Sequence, residues 1–199
     1  MSQSKCSLDL YTKFLIANHN RYSGAELSKT SGSALSHDSV SKWLSDEKFD
    51  SKNLWSLVNG MIEKETGYLI VDDSVLDKRF SRNNELAGRH WSGNEHRLIC
   101  GIDLVNFLWT KGEECIPCDY RIYQSEKKGV KTKNEHFRDM LATAKKRGFK
   151  PFYILADCWY GSVENMKNIE KQGWKFIMGA KENRQVSITK NIYVSISNL

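Results

Sequence analysis

Upstream of Gly67 the apolar positions recur at helical spacing: Leu10, Phe14 and Leu15 on one face, then the stretches "GAELSKT", "SHDSVSKWL" and "NLWSLVNGMIEKE". Within "SGSALSHDSVSKWL", Gly32 marks a turn, Ser36 or Asp38 is a natural N-cap, and Val40, Trp43 and Leu44 follow one another at helical intervals. A short helix, a glycine turn and a second capped helix have the form of a helix-turn-helix, with Lys42 as a candidate DNA contact. The same pair would also serve plain packing in a small bundle.

Downstream of Gly67 the period changes. "GYLIVDD" reads as a short buried strand, "HRLICGIDLVNFLWT" holds a longer one, and "CIPCDYRIY" places Ile116, Cys118, Tyr120 and Ile122 on one face of a third. A helix is predicted over 134–147, with Phe137, Leu141 and Ala144 on its apolar stripe and Gly148 as its stop. "FYILAD" is a fourth strand, "GSVENMKNIEKQG" a second helix and "WKFIMG" a fifth strand. Three strands with short connections make an antiparallel meander, and two more, each preceded by a helix, join it in parallel through right-handed crossovers. The expected fold is α/β, a ribonuclease H-like mixed sheet of three antiparallel and two parallel strands, with a small all-α N-terminal domain. The boundaries follow from the pattern: 1–66 helical, 67–181 the mixed core, and 182–199 the start of a β-rich segment.

This order makes the first and fourth strands neighbours pointing the same way, so Asp73 and Asp157, far apart in sequence, come to adjacent strand ends. Two carboxylates there suit Mg²⁺ or Mn²⁺, ions that keep waters and accept few protein ligands. "VDD" and "ADC" are equally legible as plain strand exits in which Asp caps a turn.

Composition narrows the setting. The 199 residues are 40% hydrophobic and 11% aromatic, enough for a core. No apolar run approaches a membrane span and the N-terminus has no apolar signal segment, which predicts a cytoplasmic location and no membrane partner. Five irregularly spaced cysteines suit a reducing compartment rather than a disulfide framework. The formal charge is +6, unevenly spread: Lys127 to Lys150 holds nine Lys and Arg against Glu135 and Asp139. That density is the footprint of a polyanion partner, nucleic acid first, or of a solvated helix face behind a basic loop. Lys127, Lys128, Lys131, Lys133, Lys146 and Arg147 are its candidate phosphate contacts. Arg89 and Arg97, in "GRHWSGNEHR" beside Trp91, add contacts from a predicted loop.

"LIVDDSVLDK" followed by "YILADCWYGS" and "FIMGAKENR" resembles the DDE transposases of bacterial insertion sequences, specifically the IS4-like group. "LSHDSVSKWL" looks like that group's N-terminal DNA-binding segment. The resemblance implies Mg²⁺-dependent cleavage and strand transfer of insertion-sequence DNA, with element ends and target duplex as partners, a nucleoid-associated location and a possible homodimer. Carried over residue by residue, the first catalytic and metal-binding Asp is Asp73, directly before Ser74, with Asp72 its competitor, and the second is Asp157.

The third acid that the resemblance implies, a Glu on a helix beyond the fifth strand, has no clear counterpart. Glu164, Glu170 and Glu182 are the substitutes the sequence offers. The expectation is a truncated transposase, inactive by itself, with apolar sheet surface left exposed. Two other readings compete: a ribonuclease H-like nuclease complete at this length, and a non-catalytic protein that binds transposon ends. "CIPC", at Cys115 to Cys118, has redox or half-zinc spacing but lies in a strand pattern without a second pair, so it reads as ordinary strand.

Overall fold

The computed structural model describes residues 6–19, 21–32, 34–79, 84–93, 95–124 and 129–198. They fall into two compact units, Met1–Asp50 and Ser51–Leu199.

In the first unit, α1 (Leu8–Ala17), α2 (Gly24–Thr30) and α3 (His37–Asp46) each begin on a serine. The hydroxyls of Ser7, Ser23 and Ser36 accept the backbone N–H three residues on, satisfying a donor that the first helical turn leaves unpaired. Phe14, Leu27, Leu35, Val40 and Cys6 form the core, with Leu10, Tyr11 and Trp43 packed against it. Leu15 and Leu44 lie outside that stripe and are exposed. Lys42 sits on the solvent side of α3.

The second unit opens with α4 (Ser51–Val58), which lies within the helical pattern of the sequence but packs with the sheet. Its Trp55 meets the Phe149 ring at 5.6 Å and the Arg147 guanidinium at 4.4 Å. The sheet comprises β1 (Tyr68–Asp77), β2 (Gly88–Ser92), β3 (Arg97–Lys111), β4 (Glu114–Tyr123), β5 (Tyr153–Ala156) and β6 (Phe176–Met178). Its order is β2-β3-β1-β5-β6, with β4 also paired to β3. β1 is antiparallel to β3 and parallel to β5, and β5 is parallel to β6. This is the ribonuclease H-like arrangement that the element order predicts.

The helices α5 (Lys133–Lys146) and α6 (Val163–Lys171) supply Phe137, Met140, Leu141, Ala144 and Ile169 to a core with Leu69, Val71, Val105, Phe107, Trp109 and Ile154. Alternation along each strand leaves Tyr68, Leu76 and Ile177 exposed on the other side. β7 (Gln185–Thr189) and β8 (Ile192–Ser195) form a separate two-stranded hairpin, turned at Asn191 with φ of +67°. At the mouth of β1, Gly67 has φ of +76°, and a Cβ there would lie 2.5 Å from the Thr110 carbonyl.

Three features depart from the sequence pattern. "GRHWS", expected as loop, is β2, because β3 is fifteen residues long and pairs β2 through its first half and β4 through its second. β1 does not stop at Asp73 but runs to Asp77 along the same long partner. The "CIPC" alternation breaks at a bulge opposite Phe107 and Leu108, which buries Cys118 and Asp119 together.

Candidate active site

β1 and β5 stay in parallel register through Val71 and Ala156, and the next residues are Asp72, Asp73 and Asp157. The carboxylates therefore stand just past the end of the parallel ladder, where the strands diverge and the backbone opens. They line one cleft of about 980 Å³ with Asp103, His90, Lys133, Arg89 and two tryptophans.

Strand alternation separates the neighbouring acids. Asp73 follows the buried Leu69 and Val71 on the α5 side, whereas Asp72 points from the opposite face. Oδ1 of Asp72 accepts the Asp73 N–H at 2.9 Å. Partial desolvation, with the charges of Asp73 and Asp157, pushes the Asp72 carboxyl above its ordinary range, against that N–H, which lowers it. Oδ1 of Asp157 accepts N–H groups from Trp159 at 2.9 Å and Tyr160 at 3.4 Å, so Asp157 does cap its turn, with Oδ2 left over for the cleft.

The loop after Asp157 is pinned from two helices. Asn165, fully buried at the start of α6, donates to the Tyr160 carbonyl at 2.8 Å and to Oδ1 of Asn134 on α5 at 2.6 Å, and accepts from Arg138 at 2.9 Å. Gly179, leaving β6, passes so close that a Cβ would lie 2.9 Å from the Cys158 nitrogen.

Asp103, on the inward register of β3, has a side chain only 4% exposed, and its Oδ2 meets the Lys133 ammonium at 2.7 Å. The same ammonium, 16% exposed, reaches Oδ2 of Asp73 at 2.6 Å. His90 Nδ1 lies 3.4 Å from Asp103, and the Tyr123 ring lies under the ammonium at 5.4 Å. Burial raises the Asp103 carboxyl, opposed by Lys133. Burial also pulls the Lys133 ammonium down, but its bonds to Asp103 and Asp73 outweigh this and hold it above its usual range. Sequence reasoning missed Asp103. The available signal was an acid in the buried register of an apolar strand, a place that requires a cation or a hydrogen-bond partner.

The basic candidates disperse. Lys133 enters the cleft; Arg89 lines it. Arg97 pairs with Glu95, and Lys131 with Asp139. Lys146 is at the far end of α5, roughly 20 Å from Lys133 at 1.5 Å per helical residue. Arg147 is largely buried over Trp55, 3.7 Å from Asp119, and donates to the Cys118 carbonyl at 2.8 Å. Lys127 and Lys128 lie outside the described residues. Trp91 and Trp159 flank the cleft at 63% and 58% exposure, Trp159 with Lys181 over its ring at 5.3 Å. Cys118 is buried, its thiol pushed up to about 12 chiefly by burial, and Cys115 is exposed, so "CIPC" does not act as a pair.

Of the substitute acids, Glu164 is exposed and pairs with Arg138 at 3.3 Å, while Glu170 and Glu182 are exposed elsewhere. None of the three lines the cleft. Among the described residues no three His, Cys, Asp or Glu side chains converge as a ready metal cage. The donor chemistry nevertheless fits a hard divalent cation that keeps most of its waters: carboxylate oxygens of Asp157 and Asp73, with Asp72 beside them on the same cleft.

A family model described as DDE superfamily endonuclease matches residues 2–192. No curated protein matches the sequence. Among solved structures, a piggyBac transposase synaptic complex with hairpin DNA aligns at 16% identity and TM-score 0.38, over 59% of this chain and 24% of that one. The Drosophila P element transposase strand transfer complex aligns at 12% identity and TM-score 0.47, over 89% of this chain and 42% of that one. The chain thus spans less than half the length of either.

Proposed function

Since this chain belongs to the DDE superfamily endonucleases, we propose that it serves DNA transposition as part of an IS4-like insertion-sequence transposase, cutting DNA at the cleft that Asp73 and Asp157 share. The observation that carries the reading is the parallel register of β1 and β5, which brings Asp73, within β1, and Asp157, at the exit of β5, together just past the end of the parallel ladder.

Asp157 and Asp73, with Asp72 as the competitor of Asp73, would hold Mg²⁺ or Mn²⁺. Such an ion supplies Lewis acidity at the phosphodiester and a more acidic attacking water. The chain's own groups do the rest. The turn capped by Asp157 aims its remaining carboxylate oxygen at the cleft, and Asn165 keeps that turn from shifting. Lys133 orients Asp73. Arg89 on the rim offers charge to phosphates, and Trp91 and Trp159 offer faces to bases. Lys42 on α3 belongs to the separate unit that would read element ends. Double-stranded DNA is the partner, and a pair of chains would hold two ends.

The test is nicking of supercoiled plasmid in Mg²⁺ or Mn²⁺, with binding followed in parallel on the same DNA. Asp157→Ala should lower cleavage at least ~100-fold while binding persists, because the ion's electrostatic contribution is several kcal/mol. Binding without cleavage by wild type in both metals would mean that the chain alone is inactive and acts as a DNA-binding protein. Equal cleavage by wild type and Asp157→Ala would remove Asp157 from the site.

A further inference from the structure

Lys133 is an unusual first residue for a helix. The N-terminal end of α5 carries positive partial charge, and the Thr132–Glu135 capping box already satisfies it with an anion. A cation placed there gains nothing from its own helix. Its position is accounted for by what it touches: Oδ2 of Asp73 at 2.6 Å and Oδ2 of Asp103 at 2.7 Å, two carboxylates on neighbouring antiparallel strands.

The second observation is independent of Lys133. Oδ1 of Asp103 is buried without a hydrogen-bond partner, on a side chain only 4% exposed. A carboxylate so placed is costly unless cations compensate it. His90, at 3.4 Å, faces Oδ2 rather than Oδ1. The cleft thus holds two acidic places side by side. One lies between Asp157 and the Asp72–Asp73 pair; the other lies between Asp73 and Asp103 and is filled by an ammonium.

We propose that Lys133 is a built-in cation of this cleft, standing between Asp73 and Asp103 where a second divalent ion would otherwise bind. The wild-type chain then takes one such ion, through Asp157 with Asp73 or its competitor Asp72, and neutralising Lys133 opens a second place. This rests on the divalent-ion reading of the cleft. It adds that the charge a second ion would bring to Asp73 and Asp103 is supplied covalently by the chain. Asp103 and Lys133 are positioning residues here: they set the orientation of Asp73 and the number of ions rather than touching substrate.

The experiment is Mn²⁺ binding, read from the loss of the free-ion electron paramagnetic resonance signal, on the full chain without DNA. Lys133→Met should bind one more Mn²⁺ per chain than wild type. Lys133→Met with Asp103→Asn should lose that extra ion, and Lys133→Met with Asp157→Ala should keep it. Equal stoichiometry in wild type and Lys133→Met overturns the proposal, as does an extra ion that survives Asp103→Asn. The reading of Asp157 as a ligand is judged separately, by whether wild type loses its own ion on Asp157→Ala. Should Lys133→Met fail to fold in metal-free buffer, refolding with and without millimolar Mn²⁺ becomes the readout. Recovery only with Mn²⁺ supports the proposal, and failure in both overturns it.

Discussion

Tyr160→Phe removes one buried oxygen near the carboxylates, and the structure sets the sign of its effect. The side chain is fully buried and its hydroxyl has no hydrogen-bond partner. Burial first, then the charges of Asp73, Asp157, Asp103 and Asp72, drive the phenol far above its ordinary range, so it stays neutral. The ring packs edge-on against Phe137 at 5.4 Å, a contact that phenylalanine keeps. An unpaired buried polar group costs about 1–3 kcal/mol. Deleting it should stabilise the second unit by about 1 kcal/mol, or roughly 2–4 °C in Tm for a domain of this size. Tyr160→Ala, which also empties the ring's volume, should cost about 3–5 kcal/mol. Thermal and urea melts in EDTA, where no divalent ion can act as partner, measure both. A loss of 1 kcal/mol or more in Tyr160→Phe would refute the argument, since it would mean that the hydroxyl is paired in the folded chain.

Gly67→Ala should destabilise by about 3 kcal/mol, because a left-handed residue with a Cβ is strained and that Cβ would press on the Thr110 backbone; a urea midpoint shift equivalent to under about 0.5 kcal/mol would contradict this. His136 has both ring nitrogens buried without partners, and burial, then Arg121, lowers its affinity for protons in the folded chain. The unfolded chain therefore binds the proton more readily. Stability should fall as pH drops below the ordinary histidine value near 6.5, and His136→Phe should flatten that dependence in melts between about pH 5 and 7.

Much of this architecture is legible in one dimension because it is local. The period of three to four before Gly67, the apolar runs at Tyr68 to Val71 and Tyr153 to Ala156, and the capped stripe of Phe137, Leu141 and Ala144 each state their own secondary structure. Their order restricts the sheet to few topologies, since crossovers are right-handed, and the adjacency of Asp73 to Asp157 follows from that restriction.

What the sequence could not state is which distant groups neutralise one another. Asp73 and Lys133 are sixty residues apart, and Lys133 sits in a run of lysines that reads as a surface for DNA. Arg147, from the same run, closes over Trp55 instead, because α5 carries it to the other end of the core. "GRHWS" pairs as a strand only because β3 extends past β1's core register, a consequence of partner length rather than local propensity. The sequence by itself determined most of the elements, their order and the adjacency of Asp73 to Asp157, all consequences of backbone geometry and burial. Only the tertiary structure decided the charge pairing inside the cleft, because in a low-dielectric interior a charge is set by what approaches it through space.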